Sequence, residues 1–141
     1  MLARERFSWV QLTGLVLFFG AYFVVVSALQ RAHIEPTFLQ KIGILAIAAG
    51  SLAVVVLIDR IIAWLRPDRN AKPDERDKLI ELRASGIAYY VLMAGALYVG
   101  CYLPFLATTW QIVNSTLAVV VIAEIVHHGL VVLGYRRGWR V

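Results

Sequence analysis

The sequence predicts an all-α protein, a bundle of four transmembrane helices within a single domain of residues 1–141. Hydrophobic residues make up 60% of the chain and charged residues only 16%, against about 45–50% and about 25% in an average soluble domain. Mean hydropathy is +0.73, and four apolar stretches each reach the roughly 20 residues that cross a bilayer. Backbone groups cannot stay unpaired in lipid, so long apolar stretches without alternation predict helices. A soluble globular enzyme, a disordered tail and a disulfide scaffold are excluded, the last because Cys101 is the single cysteine.

The first span is predicted at about residues 7–29, a stretch without any charged residue. A cleaved signal peptide is the alternative, because basic residues precede the stretch and small residues, Val26-Ser27-Ala28, lie near its end. The apolar run of about 20 residues is longer than the 7–15 of a typical signal peptide. A retained membrane span is therefore the favoured interpretation.

Three further apolar stretches predict the remaining spans, at about residues 42–65, 87–106 and 112–135. The second span carries Asp59 and Arg60 near its end. Aromatic residues are enriched where spans meet the headgroup region, and four lie near the predicted span ends: Trp9, Trp64, Trp110 and Tyr135.

The distribution of basic residues predicts the orientation. Eleven of the 14 Lys and Arg residues lie before the first span, between the second and third spans, or after the fourth. Only Arg31 and Lys41 lie in the loop between the first two spans. The positive-inside rule therefore predicts cytoplasmic N- and C-termini in an inner (plasma) membrane. The same rule accounts for the net charge of +5, so no nucleic-acid partner is predicted.

The segment 66–83 is predicted to be cytoplasmic and to end in an amphipathic helix that leads into the third span. Pro67 ends the second span, and Pro73 opens the new helix at a first-turn position, where its missing N–H has no cost. Acidic residues in the first turn complement the helix dipole: Asp74, Glu75 and Asp77. A helix cap with a solvated face is the favoured interpretation of this cluster, and partner docking or a divalent-cation site are alternatives.

Three short motifs carry a resemblance to a known family. They are the run from Pro73 to Ile80 (PDERDKLI), the pair Arg83-Ala84, and the closing Tyr135-Arg136-Arg137-Gly138. Over nearly its whole length the chain resembles a family of small four-helix prokaryotic membrane proteins of unknown function. The resemblance implies an integral membrane protein, some of whose relatives are encoded beside small helix-turn-helix regulators, and no established reaction. It singles out six charged residues: Asp74, Glu75, Arg76, Asp77, Arg136 and Arg137.

Glu124 is the most informative residue for function. It follows Ile112 by twelve positions, which is about 18 Å at 1.5 Å per residue and near the bilayer centre. His127 and His128 follow at helical spacing and project from the same face. An ionisable group at this depth is a functional hypothesis by default. Depth counting predicts a polar layer in the inner half of the bundle: Gln11, Asp59, Arg60, Tyr98, Glu124, His127 and His128.

Several interpretations of this layer compete. The favoured one is that Glu124 is protonated or hydrogen-bonded to Tyr98 or a histidine and holds helices together. A proton or solute path is the alternative, because His titrates near neutrality and burial raises the pKa of a glutamate. Glu-x-x-His is half of a di-iron motif, but a bundle needs two such pairs, so only a metal site at a dimer interface remains possible. One chain cannot supply two facing haem ligands. No metal and no cofactor are predicted.

Small residues at four-residue spacing favour close helix packing, either within the bundle or at a dimer face: Ala46/Gly50, Ala49/Ala53 and Ala96/Gly100. Cys101 has no nearby histidine in the sequence and is interpreted as a packing residue, so the chain is not predicted to be an enzyme. The predicted function is structural, regulatory or that of an accessory subunit. Its partners are the lipid bilayer and another membrane protein or a second copy. The alternative is a proton-coupled small-solute transporter or channel unit centred on Glu124.

Overall fold

The computed structural model describes residues 3–65 and 75–137, and within them all regular secondary structure is helical. Four helical segments are long and apolar enough to cross a membrane: Glu5–Arg31, Phe38–Ile62, Glu75–Phe105 and Thr109–Arg136. The predicted all-α class and its four spans are confirmed. Pro67, Pro73 and Asp74 of the predicted cytoplasmic segment, and Gly138 after the fourth span, lie outside the described residues.

The first span is one continuous rod made of three pieces. Helix α1 (Ala3–Gly14) passes through a π-helical turn (Leu15–Phe19) into helix α2 (Gly20–Arg31). Just after the first span, His33 adopts a left-handed backbone conformation with a φ of 52°. The N–H of His33 donates to Gln30 O at 3.2 Å and that of Ile34 to Leu29 O at 3.1 Å. These two bonds form a Schellman motif, which satisfies the last carbonyl groups of the helix.

Helix α3 (Phe38–Trp64) forms the second span. It begins with a side-chain cap, in which the N–H of Thr37 donates to Gln40 Oε1 at 2.9 Å. This is one half of a capping box. The first span and α3 make an antiparallel hairpin whose helices approach closely at Gly14, where an added Cβ would lie 2.8 Å from Leu52 Cδ1.

Helices α4 (Glu75–Leu97) and α5 (Thr109–Arg137) form a second compact unit, also an antiparallel hairpin. Helix α4 continues through a π-helical turn (Tyr98–Tyr102) and a 3₁₀ turn (Leu103–Phe105). A complete capping box starts α5: the N–H of Thr108 donates to Gln111 Oε1 at 2.9 Å, and the N–H of Gln111 donates to Thr108 Oγ1 at 3.4 Å.

The core of the second hairpin lies at its Glu75 end. Ile80 and Ala84 of α4 pack there against Val131 of α5, with Leu130 and Tyr135 beside them.

Two glycines permit the close approach of the helices. An added Cβ at Gly134 would lie 2.7 Å from Ile80 Cγ2, and one at Gly95 would overlap Val119.

Candidate functional site

An ion pair joins the two helices of the first hairpin near the end of α3. Arg6 Nη2 lies 3.1 Å from Asp59 Oδ1, and Asp59 is only 8% exposed. A buried carboxylate needs an opposite charge or several hydrogen bonds to be tolerated. Asp59 of the predicted polar layer is thus neutralised by a residue of α1.

Arg60, the next residue along α3, contacts a different group. Its guanidinium carbon lies 4.1 Å from the centroid of the Phe7 ring, a cation–π contact, and the residue is exposed. The guanidinium cation is attracted to the negative face of the ring. The adjacent residues Asp59 and Arg60 therefore both contact α1, one through charge and the other through an aromatic face.

Gln11 lies on α1 between the ion pair and the close helix approach at Gly14. Its side-chain oxygen Oε1 is buried and has no hydrogen-bond partner among the described residues. Arg6 Nε is also buried and has no hydrogen-bond partner among the described residues. The described polar contact of the Arg6 guanidinium is therefore the ion pair of its Nη2 with Asp59. The first hairpin thus holds three predicted site residues in separate contacts: Asp59 pairs with Arg6, Arg60 packs on Phe7, and the side-chain oxygen of Gln11 is buried.

The second hairpin holds the predicted acid. The Glu124 side chain is 51% exposed, and its Oε2 lies 3.6 Å from Nε2 of the buried His128, one helical turn later. This distance is longer than a normal hydrogen bond. Among the described residues it is the only polar contact of the Glu124 carboxylate.

His127 connects this pair to helix α4. Its Nδ1 lies 3.5 Å from Ser85 Oγ, at the long limit of hydrogen-bond distance. The His127 and His128 rings meet edge to face with their centroids 4.9 Å apart. A row of four polar side chains therefore crosses the second hairpin: Ser85, His127, His128 and Glu124.

Tyr98 lies apart from this row. Its ring stacks on Tyr102 with a centroid distance of 5.4 Å, and within the described part of the chain its hydroxyl does not bond to Glu124. The contact that Glu124 does make is with a histidine, the other partner that the sequence suggested.

The described charged residues of the family motifs lie at the open end of the second hairpin, where α4 begins and α5 ends. Glu75 begins α4, and Arg76 and Asp77 follow in its first turn. The acidic side chains there complement the helix dipole, as the sequence suggested. Arg136 and Arg137 close α5.

No three metal-binding side chains of the His, Cys, Asp or Glu type lie close enough together to hold an ion, as far as residues 3–65 and 75–137 are concerned. The polar clusters can therefore form hydrogen bonds, pair charges or relay protons. Cys101, the free thiol, is exposed, whereas a role in packing was the sequence interpretation.

Sequence reasoning overlooked three contact residues, Arg6, Phe7 and Ser85. The contact of Arg6 could have been predicted from the sequence, because an antiparallel hairpin brings the start of the first span level with the end of the second. Charged residues of both signs lie near that level, Glu5 and Arg6 at the start of the first span and Asp59 and Arg60 near the end of the second. The signal for Ser85 is weaker, since a serine in an apolar helix usually bonds to its own backbone.

A family model described as "Predicted membrane protein (DUF2178)" matches residues 5–139 of the chain. No curated protein and no solved structure matches it. The match covers both hairpins and the motifs on which the resemblance rests.

Proposed function

The chain belongs to the membrane-protein family DUF2178, and we propose that it serves as an accessory or scaffolding subunit of the inner membrane. In this function helix α5 binds a transmembrane helix of another membrane protein or of a second copy. Glu124 is the residue that selects the partner helix. The half-exposed carboxyl group of Glu124 is the observation that carries the proposal.

Glu124 lies deep in the membrane span. It is 15 residues from Thr109 and 12 from Arg136, or about 22 Å and about 18 Å along the helix. A charged side chain at that depth costs at least about 2.5–3.5 kcal/mol against lipid. The long contact with His128 offsets only part of this cost. A hydrogen-bonding group on a partner helix supplies the remainder.

The surface around Glu124 suits a helix partner. Exposed residues recur along α5 at helical spacing and form one stripe: Val113, Thr116, Val120 and Glu124. The Thr116 hydroxyl donates to Ile112 O at 2.8 Å, so Thr116 needs no partner outside its helix. Glu124 is consequently the one residue of this stripe that gains from a polar partner, which makes it a specificity determinant.

The test is the mass of the protein released from its own membrane in mild detergent, measured by native mass spectrometry. Wild type is expected to carry a partner or a second copy at fixed stoichiometry. Glu124→Leu is expected to lose it, since about 1–2 kcal/mol of interhelical hydrogen bonding disappears. Glu124→Gln keeps a hydrogen-bonding side chain and is expected to retain the complex. Thr116→Val is the matched control on the same stripe. A Glu124→Leu complex identical to wild type would show the proposal to be wrong.

The row from Ser85 to Glu124 favours a second candidate function, a proton path through the second hairpin. Histidine side chains can serve as proton shuttles, and this row links a half-exposed acid to a buried histidine. Proteoliposomes with a pH-sensitive dye inside measure the flux. Here Glu124→Gln is expected to abolish proton flux while the complex stays intact. The same variant therefore separates the two functions.

A further inference from the structure

Arg60 places a positive charge on an otherwise apolar face of α3. Its neighbours at helical spacing, Leu57 at 59% and Trp64 at 78%, are exposed hydrophobic residues, and so is the adjacent Ile61 at 48%. In a membrane span, such a face meets lipid chains. An arginine there extends its side chain toward the headgroups, because its charge is costly in hydrocarbon.

The charge of Arg60 is not compensated within the described residues. Asp59, the nearest acid in the sequence, is already paired with Arg6 at 3.1 Å. These two charges cancel, and the guanidinium of Arg60 retains its own. The cation–π contact with Phe7 orients that group but does not neutralise it.

The Phe7 contact leaves the hydrogen-bonding edge of Arg60 available. A ring at 4.1 Å covers one face of the planar guanidinium, whereas the N–H donors point outward in the plane. This planar fork matches the two oxygens of a phosphate and binds them in a bidentate manner. Phe7 holds the fork in place, so less side-chain freedom is lost on binding.

The depth of Arg60 fits a phosphate at the membrane surface. Arg60 lies four residues before Trp64, the last residue of α3, which is about 6 Å along the helix. An exposed tryptophan at a span end is typical of the headgroup level. The long arginine side chain covers the distance between the two levels.

We infer that Arg60, oriented by Phe7 and flanked by Trp64, binds the phosphate of one anionic phospholipid per chain. The occupant is a lipid of the surrounding bilayer, because the exposed hydrophobic residues beside Arg60 accept acyl chains. A single uncompensated cation favours a headgroup with one net negative charge. This site is independent of Glu124 and of the partner proposed for α5.

The experiment is a titration of phosphatidylglycerol into the detergent-purified full chain, with bound lipids counted by native mass spectrometry. Wild type is expected to bind one lipid at high affinity. Arg60→Gln is expected to weaken this binding about tenfold or more, and Arg60→Lys less, because lysine keeps the charge but not the fork. Phe7→Leu is expected to weaken it about two- to fivefold. Arg31→Gln, at the opposite end of the first hairpin, is the matched control and is expected to bind as wild type does. Circular dichroism establishes that each variant keeps its helix content.

Each other outcome overturns the inference in a defined way. Unchanged affinity in Arg60→Gln removes the residue from lipid binding. An equal loss in Arg31→Gln shows general charge attraction instead of a site. Phosphatidylcholine binding as tightly as phosphatidylglycerol contradicts the preference for an anionic lipid. Displacement of the lipid by millimolar inorganic phosphate shows that the occupant is a free anion.

Discussion

Gly95→Ala tests a close contact between the two helices of the second hairpin. A Cβ added at Gly95 would overlap Val119 Cγ1 and lie 2.7 Å from Val119 Cγ2 and 3.1 Å from Val119 Cβ. Ordinary van der Waals contact between carbon atoms needs about 3.5–4.0 Å. Val119 is β-branched and has few alternative rotamers in a helix. Helices α4 and α5 must therefore move apart by roughly 1 Å to admit the methyl group.

The expected magnitude combines two opposing effects. Overpacking of this kind costs about 1–3 kcal/mol, whereas replacing glycine by alanine inside a helix contributes about 0.8–1 kcal/mol in favour of folding. Gly86 lies on the same helix and has open space around it, with no atom within 4 Å of an added Cβ. Gly86→Ala should therefore show the favourable effect alone. The two variants should differ by about 1–3 kcal/mol, with Gly95→Ala the less stable.

The assay is unfolding in mixed micelles with a rising mole fraction of sodium dodecyl sulfate, followed by circular dichroism. Adding Val119→Ala to Gly95→Ala should restore most of the lost free energy of unfolding, because the smaller side chain makes room for the methyl group. Equal stability of Gly95→Ala and Gly86→Ala would refute the close packing of α4 on α5 at this level.

Three further predictions concern other contacts. Arg6→Gln should lower the free energy of unfolding by about 3 kcal/mol, because it leaves the buried Asp59 carboxylate without its cation. Asp59→Asn should lower it less, since the Arg6 side chain is 33% exposed. Exchanging the two residues, with aspartate at position 6 and arginine at position 59, should recover stability in the same unfolding assay. Thr108→Ala removes half of the capping box of α5 and should lower the free energy of unfolding by about 1 kcal/mol, whereas Thr116→Val should change it little. In a Cys101→Ala background, a membrane-impermeant maleimide should label Glu35→Cys in intact cells and Asp77→Cys only after permeabilisation; the reverse pattern would contradict the predicted orientation.

The spans were predictable because the hydrocarbon of a bilayer permits very few backbone conformations. A run of about 20 apolar residues in hydrocarbon must be helical, and all four predicted runs are helices in the structure. Helices α1, α3 and α5 begin at Ala3, Phe38 and Thr109, a few residues before the apolar spans predicted at about 7, 42 and 112. For α3 and α5 the reason is a side-chain cap, which starts the helix in the polar residues before its apolar part. The pattern Thr-x-x-Gln before each run (Thr37 to Gln40, Thr108 to Gln111) was the available signal.

The faces that meet were not predictable by counting depth. Depth places residues at a level, but contact also needs the rotation of each helix about its axis. Small-residue spacing singled out Gly50 and Gly100, yet both have open space around them, whereas Gly14, Gly95 and Gly134 are packed against the opposite helix. Two π-helical turns, at Leu15–Phe19 and Tyr98–Tyr102, change the rotation along their helices. No residue type in the sequence predicts such a π-helical turn.

The two intramembrane acids differ in a way that separates structure from function. Asp59 is buried and forms an ion pair at 3.1 Å with Arg6 of its own hairpin, so its substitution should alter the stability of the isolated chain. Glu124 is half-exposed and has a contact of 3.6 Å with His128, so it contributes little to the stability of its own hairpin. In the proposed function, a polar group of the partner covers Glu124 and offsets the cost of placing it in lipid. Its substitution should therefore leave unfolding of the isolated chain nearly unchanged and alter what the protein binds or conducts in the membrane.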